Sequence, residues 1–181
     1  MTRDEALQIL AEADLIVGAA DIQNALGRMA DEITARLGET QPLVLTVMNG
    51  GVFLAGQLLP RLRFPLECDY IHATRYRNTT QGHDVEWRVA PRESVAGRTV
   101  LVLDDILDAG ITLAAIKARL LADGAVECLT AVLALKEIGR AQPIVADFVG
   151  VTLPDRYVFG CGMDVRGNWR NLPDIHAVKG L

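Results

Sequence analysis

Apolar runs of strand length that alternate with helix-spaced segments leave this chain few architectures to adopt. PLVLTVM from Pro42, RTVLVL from Arg98 and VECLTAVLAL from Val126 are largely apolar and rich in β-branched residues. VFLAGQLLPRL after Gly51 and LAAIKARLLADG after Thr112 instead place apolar residues three and four apart, the spacing of a helix face. Strands that are apolar on both faces need cover on both faces, which argues for a parallel sheet lying between helices. Ile22, Leu26, Met29, Ile33 and Leu37 mark a further helix, with Asp21 as its capping residue and Gly38 as its stop. The fold class read from this pattern is α/β: a twisted, mainly parallel sheet with helices on both faces.

At 181 residues, 50% hydrophobic and 23% charged, the chain can bury one substantial core. We expect a single domain over residues 1–181. A third strand follows Pro65 in LECDYIHA, and the polar stretch TRYRNTTQGHDVEW after it reads as a mobile loop or ribbon, long enough to carry function. DFVGVTLPDRYVFGCGMD holds two short runs parted by Pro154-Asp155, so residues from about 150 to 181 are read as a small β-rich hood over one end of the sheet.

The balance of 18 basic against 23 acidic residues lacks the electrostatic footprint of a nucleic-acid or anionic-membrane partner, and Arg75-Tyr76-Arg77 is only a local basic cluster. MTRDEALQIL is a helix start, with Thr2 and Glu5 spaced as a capping box, and lacks the basic and apolar regions of a secretory signal. The longest apolar runs are too short to cross a bilayer, so a soluble, cytoplasmic protein is expected. Cys68, Cys128 and Cys161 are odd in number and form no CxxC pair, the usage of buried thiols in a reducing compartment. His72, His83 and His176 have no metal-ligand spacing, and no zinc is expected.

Ligands of open α/β sheets bind beyond the carboxyl ends of the strands. Three of these strands end in unusual residues: Asn49-Gly50-Gly51, Asp104-Asp105 and Lys136. Each has a plainer use, since a glycine pair also serves a tight turn, Asp108 a helix cap and Lys136 a solvated strand end. Asp104-Asp105 is harder to explain structurally, because adjacent carboxylates at the end of a buried strand repel one another unless a neutral or cationic group engages them. GxxxxGK[ST] and GxGxxG are both absent, which removes the usual nucleotide cradles. An acidic pair with a distant Lys is also the layout of a phosphoacceptor receiver domain. Such a domain needs a further Asp-ended strand between them, and this chain has only one helix there.

VLVLDDILDAGITL, from Val100 to Leu113, closely resembles the phosphoribosyl-pyrophosphate (PRPP) signature of the type I phosphoribosyltransferases: an apolar strand, two acids, two apolar residues, Asp, a small residue, Gly, a variable residue and Thr. Nearly the full chain is similar to the hypoxanthine-guanine branch. The resemblance implies that Asp104 and Asp105 meet the ribose hydroxyls, and that Asp108, Ala109, Gly110, Ile111 and Thr112 form the loop and helix start that take the 5′-phosphate. It also implies that Asp108 lies beside the purine N7, that Lys136 contacts the six-position oxygen, that Tyr157 stacks on the base and that the main chain at Val158 meets the ring edge. Asp164 and Arg170 match the metal and pyrophosphate end of the purine site, with Mg²⁺ expected near Asp164, Asp104 and Asp105. Met48-Asn49-Gly50-Gly51 matches a first loop that contacts pyrophosphate and often holds a non-proline cis peptide. Arg75 and Tyr76 match a mobile loop that closes over the reaction.

The chain departs from the family pattern at Asn49, where Lys is frequent, at Arg75, where Ser is frequent, and at Ala109, where Thr is frequent. The implied activity is Mg²⁺-dependent transfer of 5-phosphoribosyl from PRPP to N9 of hypoxanthine or guanine, in a homodimer or homotetramer. A transferase acting on xanthine or a pyrimidine would share the ribose-phosphate site. A regulatory protein of the same fold that senses a nucleotide or binds RNA would have less use for Asp108, Lys136 and Arg170.

Overall fold

The computed structural model describes residues 1–75 and 85–180, with side chains left undescribed at positions 74, 75 and 85. Tyr76 and His83 therefore lie outside the described residues, and of Arg75 only the backbone is described. Helix α1 (Arg3–Glu12) starts at the expected capping box, the Thr2 hydroxyl accepting from Glu5 N–H and the Glu5 carboxylate from Thr2 N–H. Strand β1 (Asp14–Val17) follows, then α2 (Ala19–Leu37), β2 (Leu43–Val47), α3 (Val52–Leu58) with a short 3₁₀ turn, β3 (Glu67–Arg75) and β4 (Val85–Val89). The second half runs β5 (Thr99–Leu107), α4 (Ile111–Ala122), β6 (Glu127–Glu137), β7 (Phe148–Pro154), β8 (Val158–Phe159) and β9 (Ile175–Ala177).

The main sheet has the order β4-β3-β2-β5-β6-β7, parallel throughout except for β4, which pairs antiparallel with β3. Its core has two faces, as the two-sided apolar strands require. Leu101 and Leu103 of β5 meet Ile22, Leu26, Met29 and Leu54 from α2 and α3 on one side. Val100 and Val102 meet Leu113, Ile116 and Leu120 of α4 on the other. From β2 the chain passes through α3 to β3 on one flank, whereas from β5 it passes through α4 to β6 on the opposite flank. The winding therefore reverses between β2 and β5, and in such sheets that reversal opens a crevice at the strands' carboxyl ends.

Several local expectations need correction. β5 does not stop at Asp104 but runs to Leu107, because its pairing with β6 continues through Leu107 and Leu135. Gly18, without a side-chain cap, precedes α2; Asp21 lies inside its first turn, where its charge favours the helix dipole. The hood begins later than residue 150, because β7 is a strand of the main sheet alongside β6. It is a three-stranded antiparallel sheet, β1-β9-β8, to which the N-terminal segment contributes β1. Cys68 is exposed on β3, whereas Cys128 and Cys161 are buried thiols, with burial pushing them up to about 11 and about 12. Among the described residues no helix is long and apolar enough to cross a membrane.

Candidate active site

The crevice at the β2/β5 reversal is where most of the singled-out residues converge. Asp104 and Asp105 stand on β5 one residue apart, and strand geometry sends successive side chains to opposite faces. Asp104 opens into a cavity of about 220 Å³ that is also walled by Asp108, Ala109, Gly110 and Thr112. Asp105 turns the other way, onto the β2–α3 loop. Gly50 sits against it so closely that a Cβ there would fall inside the Asp105 carboxylate. The peptide bond between Met48 and Asn49 in that loop is cis. Among the sequence expectations this was the most specific for the backbone.

The acidic pair carries little internal compensation. Burial, and after it the neighbouring charge of Asp105, holds the Asp104 carboxyl well above the usual carboxylate range. Burial also raises Asp105, opposed by its hydrogen bond with Asp104 and by the Arg170 guanidinium. Arg170 Nη1 lies 3.7 Å from Asp105 Oδ2 and donates to the Gly162 carbonyl at 2.5 Å, while Nη2 binds Asp164 Oδ1. The other Asp164 oxygen accepts from Gly167 N–H at 2.6 Å. Arg170 thus links the acid on β5 to the acid of the C-terminal loop.

The α4 end of the crevice is built by backbone. Gly110 adopts φ +74°, a left-handed conformation that turns the chain directly from β5 into α4. The first N–H groups of that helix have no intrahelical acceptor and carry the positive end of its dipole. On the far side, Lys136 comes from β6 with its side chain nearly buried, and its Nζ lies 3.4 Å from Asp108 Oδ2. A buried ammonium needs such a partner; the Asp108 side chain is itself half exposed.

Tyr157 lies between β7 and β8 with its ring largely exposed and its hydroxyl 3.5 Å from the Asp164 carbonyl. Val178 N–H donates to Tyr157 C=O at 2.9 Å, and Val158 pairs with Ala177 in the next position. The alternation of an antiparallel ladder turns the N–H and C=O of Val158 away from β9, toward the open edge of the sheet. The structure thus gathers Gly50, Asp105, Asp164 and Arg170 at one end of the crevice, and Asp104, Asp108, the Ala109–Thr112 turn and Lys136 at the other. Sequence reasoning missed Gln142, whose amide donates to the Asp108 and Lys136 carbonyls at 2.6 and 3.2 Å. A lone polar residue in a connecting segment carries no spacing signal by which to find it.

A model of the phosphoribosyl transferase domain matches residues 18–166, a span that includes both strand-end loops, Lys136 and Asp164. The chain belongs to the phosphoribosyl transferase family. The transferase is 32% identical over 160 residues to the hypoxanthine-guanine-xanthine phosphoribosyltransferase of Tritrichomonas foetus, covering 88% of this chain and 87% of that one. To the hypoxanthine-guanine phosphoribosyltransferase of Bacillus subtilis (strain 168) it is 31% identical over 166 residues, covering 91% and 92%. These relatives place it in the hypoxanthine-guanine branch. In fold, it is similar to a crystal structure of a hypoxanthine phosphoribosyltransferase from Staphylococcus aureus, with a TM-score of 0.87 at 24% identity over 98% of this chain and 97% of that one.

Proposed function

We propose that this transferase moves the 5-phosphoribosyl group of PRPP to N9 of hypoxanthine or guanine, forming the nucleoside monophosphate and pyrophosphate, as a purine salvage enzyme of the cytoplasm. The observation that carries this reading is the pairing of Asp108 with Lys136 beside the Asp104 cavity. It sets an acceptor for a purine N–H just past the end of β5 beside a donor for a six-position oxygen on β6, next to a helix start suited to a phosphate. Adenine carries an amino donor at position six and would face the Lys136 ammonium donor to donor.

The roles then follow from position. Ala109, Gly110, Ile111 and Thr112 hold the 5′-phosphate through backbone N–H groups and the Thr112 hydroxyl, with no hydroxyl from Ala109. Asp104 and Asp105 accept from the ribose hydroxyls. Asn49, Gly50 and Gly51 at the first loop, together with Arg170, receive the negative charge that develops on the leaving pyrophosphate. Tyr157 stacks on the base, and Val158 meets its edge through the main chain. Arg75 and Tyr76 belong to the segment that would exclude water from the reaction. Asp108 accepts or shares the N7 proton as N9 attacks the ribose carbon.

The residues present suit Mg²⁺. Asp104, Asp105 and Asp164 are oxygen donors of the kind it prefers, offered singly rather than as a converging group of three among the described residues, and burial raises both β5 carboxyls, Asp104 further through the charge of Asp105. Mg²⁺ is ordinarily held by one or two carboxylates together with substrate oxygens rather than by an all-protein cage, and when bound it supplies charge neutralisation at the pyrophosphate. For the assembly, we read the face around Val52, Leu59 and Tyr70 as the subunit interface of a homodimer or homotetramer. An apolar groove of about 550 Å³ lies there, and Val52 and Tyr70 are exposed.

Asp108→Asn tests the mechanism. It removes the proton acceptor while preserving shape, and positioned acid/base catalysis contributes about 10² to 10⁴ in rate. We expect kcat for hypoxanthine to fall at least about tenfold with the circular dichroism spectrum unchanged. An unchanged kcat at saturating substrates would remove Asp108 from the chemistry.

A further inference from the structure

β5 ends at Leu107, whose partner Leu135 is the last position at which the β5–β6 ladder pairs the two strands. Asp108 lies one residue beyond that pair and Lys136 one residue beyond its partner. The sheet holds Lys136 through its pairing with Leu153 of β7, but no ladder among the described residues ties Asp108 to it, so the distance between the two is set outside the β5–β6 pairing. The bridging group comes from the segment between β6 and β7. Gln142 Nε2 lies 2.6 Å from the Asp108 carbonyl and 3.2 Å from the Lys136 carbonyl, with the Leu107 carbonyl at 3.5 Å. A primary amide has two N–H donors, so one can serve each of the two nearer carbonyls at once.

The same segment also supports the phosphate turn. A Cβ on Gly110 would meet Ile144 Cγ2 at 3.2 Å and Pro143 Cδ at 3.4 Å, so Pro143 and Ile144 form a floor beneath the left-handed residue that starts α4. Gln142 ties the turn from one side while its two successors pack under it. We infer that Gln142 is a positioning residue that sets the spacing between Asp108 and Lys136, and so the register of the purine between its N7 and its six-position oxygen. The inference rests on the functional reading above. Gln142 does not line the cavity beside Asp104; it acts through the backbone of Asp108 and Lys136.

Gln142→Met keeps the length of the side chain and removes both donors. Misplacement of a catalytic group by about 1 Å can cost about a hundredfold in rate, and loss of a single tether should cost part of that, about tenfold in kcat. A purely structural residue would lower kcat by the same factor whatever stands at position 108. A residue that acts by aiming the Asp108 carboxylate would not, because the aim no longer matters once the carboxylate is gone.

The experiment is a double-mutant cycle of Gln142→Met and Asp108→Asn, read as kcat with hypoxanthine, PRPP and Mg²⁺, alongside thermal melting of each variant. We expect Gln142→Met to cost about tenfold in the parent and less than about twofold in Asp108→Asn. If Gln142→Met melts early, Gln142→Glu, which turns an acceptor toward the same carbonyls, is put through the cycle with the same expectation. Equal losses in both backgrounds, or no loss in the parent, would overturn the inference while leaving the enzyme assignment intact. No turnover by the unaltered chain would overturn the functional reading and this inference with it.

Discussion

Asp104 is held in a state that costs stability. Its carboxyl titrates well above the ordinary value in the folded chain, through burial and then the charge of Asp105, so the folded state binds this proton more tightly than the unfolded state does. The stability tied to this group is complete below the ordinary carboxylate value of about 4 and is lost as pH rises through the raised one. Asp104→Asn should therefore raise Tm at pH 7, by about 2–4 °C for each kcal/mol relieved, with the gain shrinking as pH falls toward about 4. It should at the same time lower phosphoribosyl transfer at least about tenfold. A lower Tm at pH 7, measured by calorimetry across pH, would contradict the cause assigned to the shift. The acids of β5 were legible from their order and spacing alone. The link of Arg170 to Asp105 was not, because those two residues are far apart in sequence, whereas Asp164 lies only six positions from Arg170. Gln142 was invisible for a related reason, since its value lies in which carbonyls it reaches.

Among the elements, the central strands and the long helices followed from hydrophobic period, but their ends did not, and β4 lies partly in the polar stretch read as a loop or ribbon. β5 extends past the first acid because the ladder to β6 supplies backbone partners that a change in side-chain polarity cannot cancel. The hood was only half visible, since β1 is a four-residue strand, too short to show a period, and it pairs with β9 at the opposite end of the chain. The β2–α3 loop gives the sharpest element-level test. Gly50 leaves no room for a methyl group beside Asp105, whereas a methyl group on Gly27, within α2, would meet open space. Gly50→Ala should cost about 1–3 kcal/mol through overpacking, with a loss of transfer activity as Asp105 is displaced. Gly27→Ala should be neutral or stabilise by up to about 1 kcal/mol, the ordinary gain in helix propensity. Denaturant melts that showed equal effects at the two glycines would remove the close packing as the explanation.

For the whole molecule, the account joins three facts into one arrangement. The sheet reverses its winding between β2 and β5, the loops leaving those two strands carry the glycines and the acids, and the hood brings Asp164, Arg170, Tyr157 and Val158 to the same crevice. That convergence was anticipated in outline, because three strands ending in unusual residues already implied a shared edge. The division of the crevice was not, since it depends on Asp104 and Asp105 facing opposite sides of β5. The central claim is transfer to a 6-oxopurine, and pyrophosphate release from PRPP and Mg²⁺ with one nucleobase at a time tests it most directly. Release is expected with hypoxanthine and with guanine, each yielding the matching nucleoside monophosphate, and close to background with adenine or with no base. Comparable release with adenine, or none with any base, would contradict it.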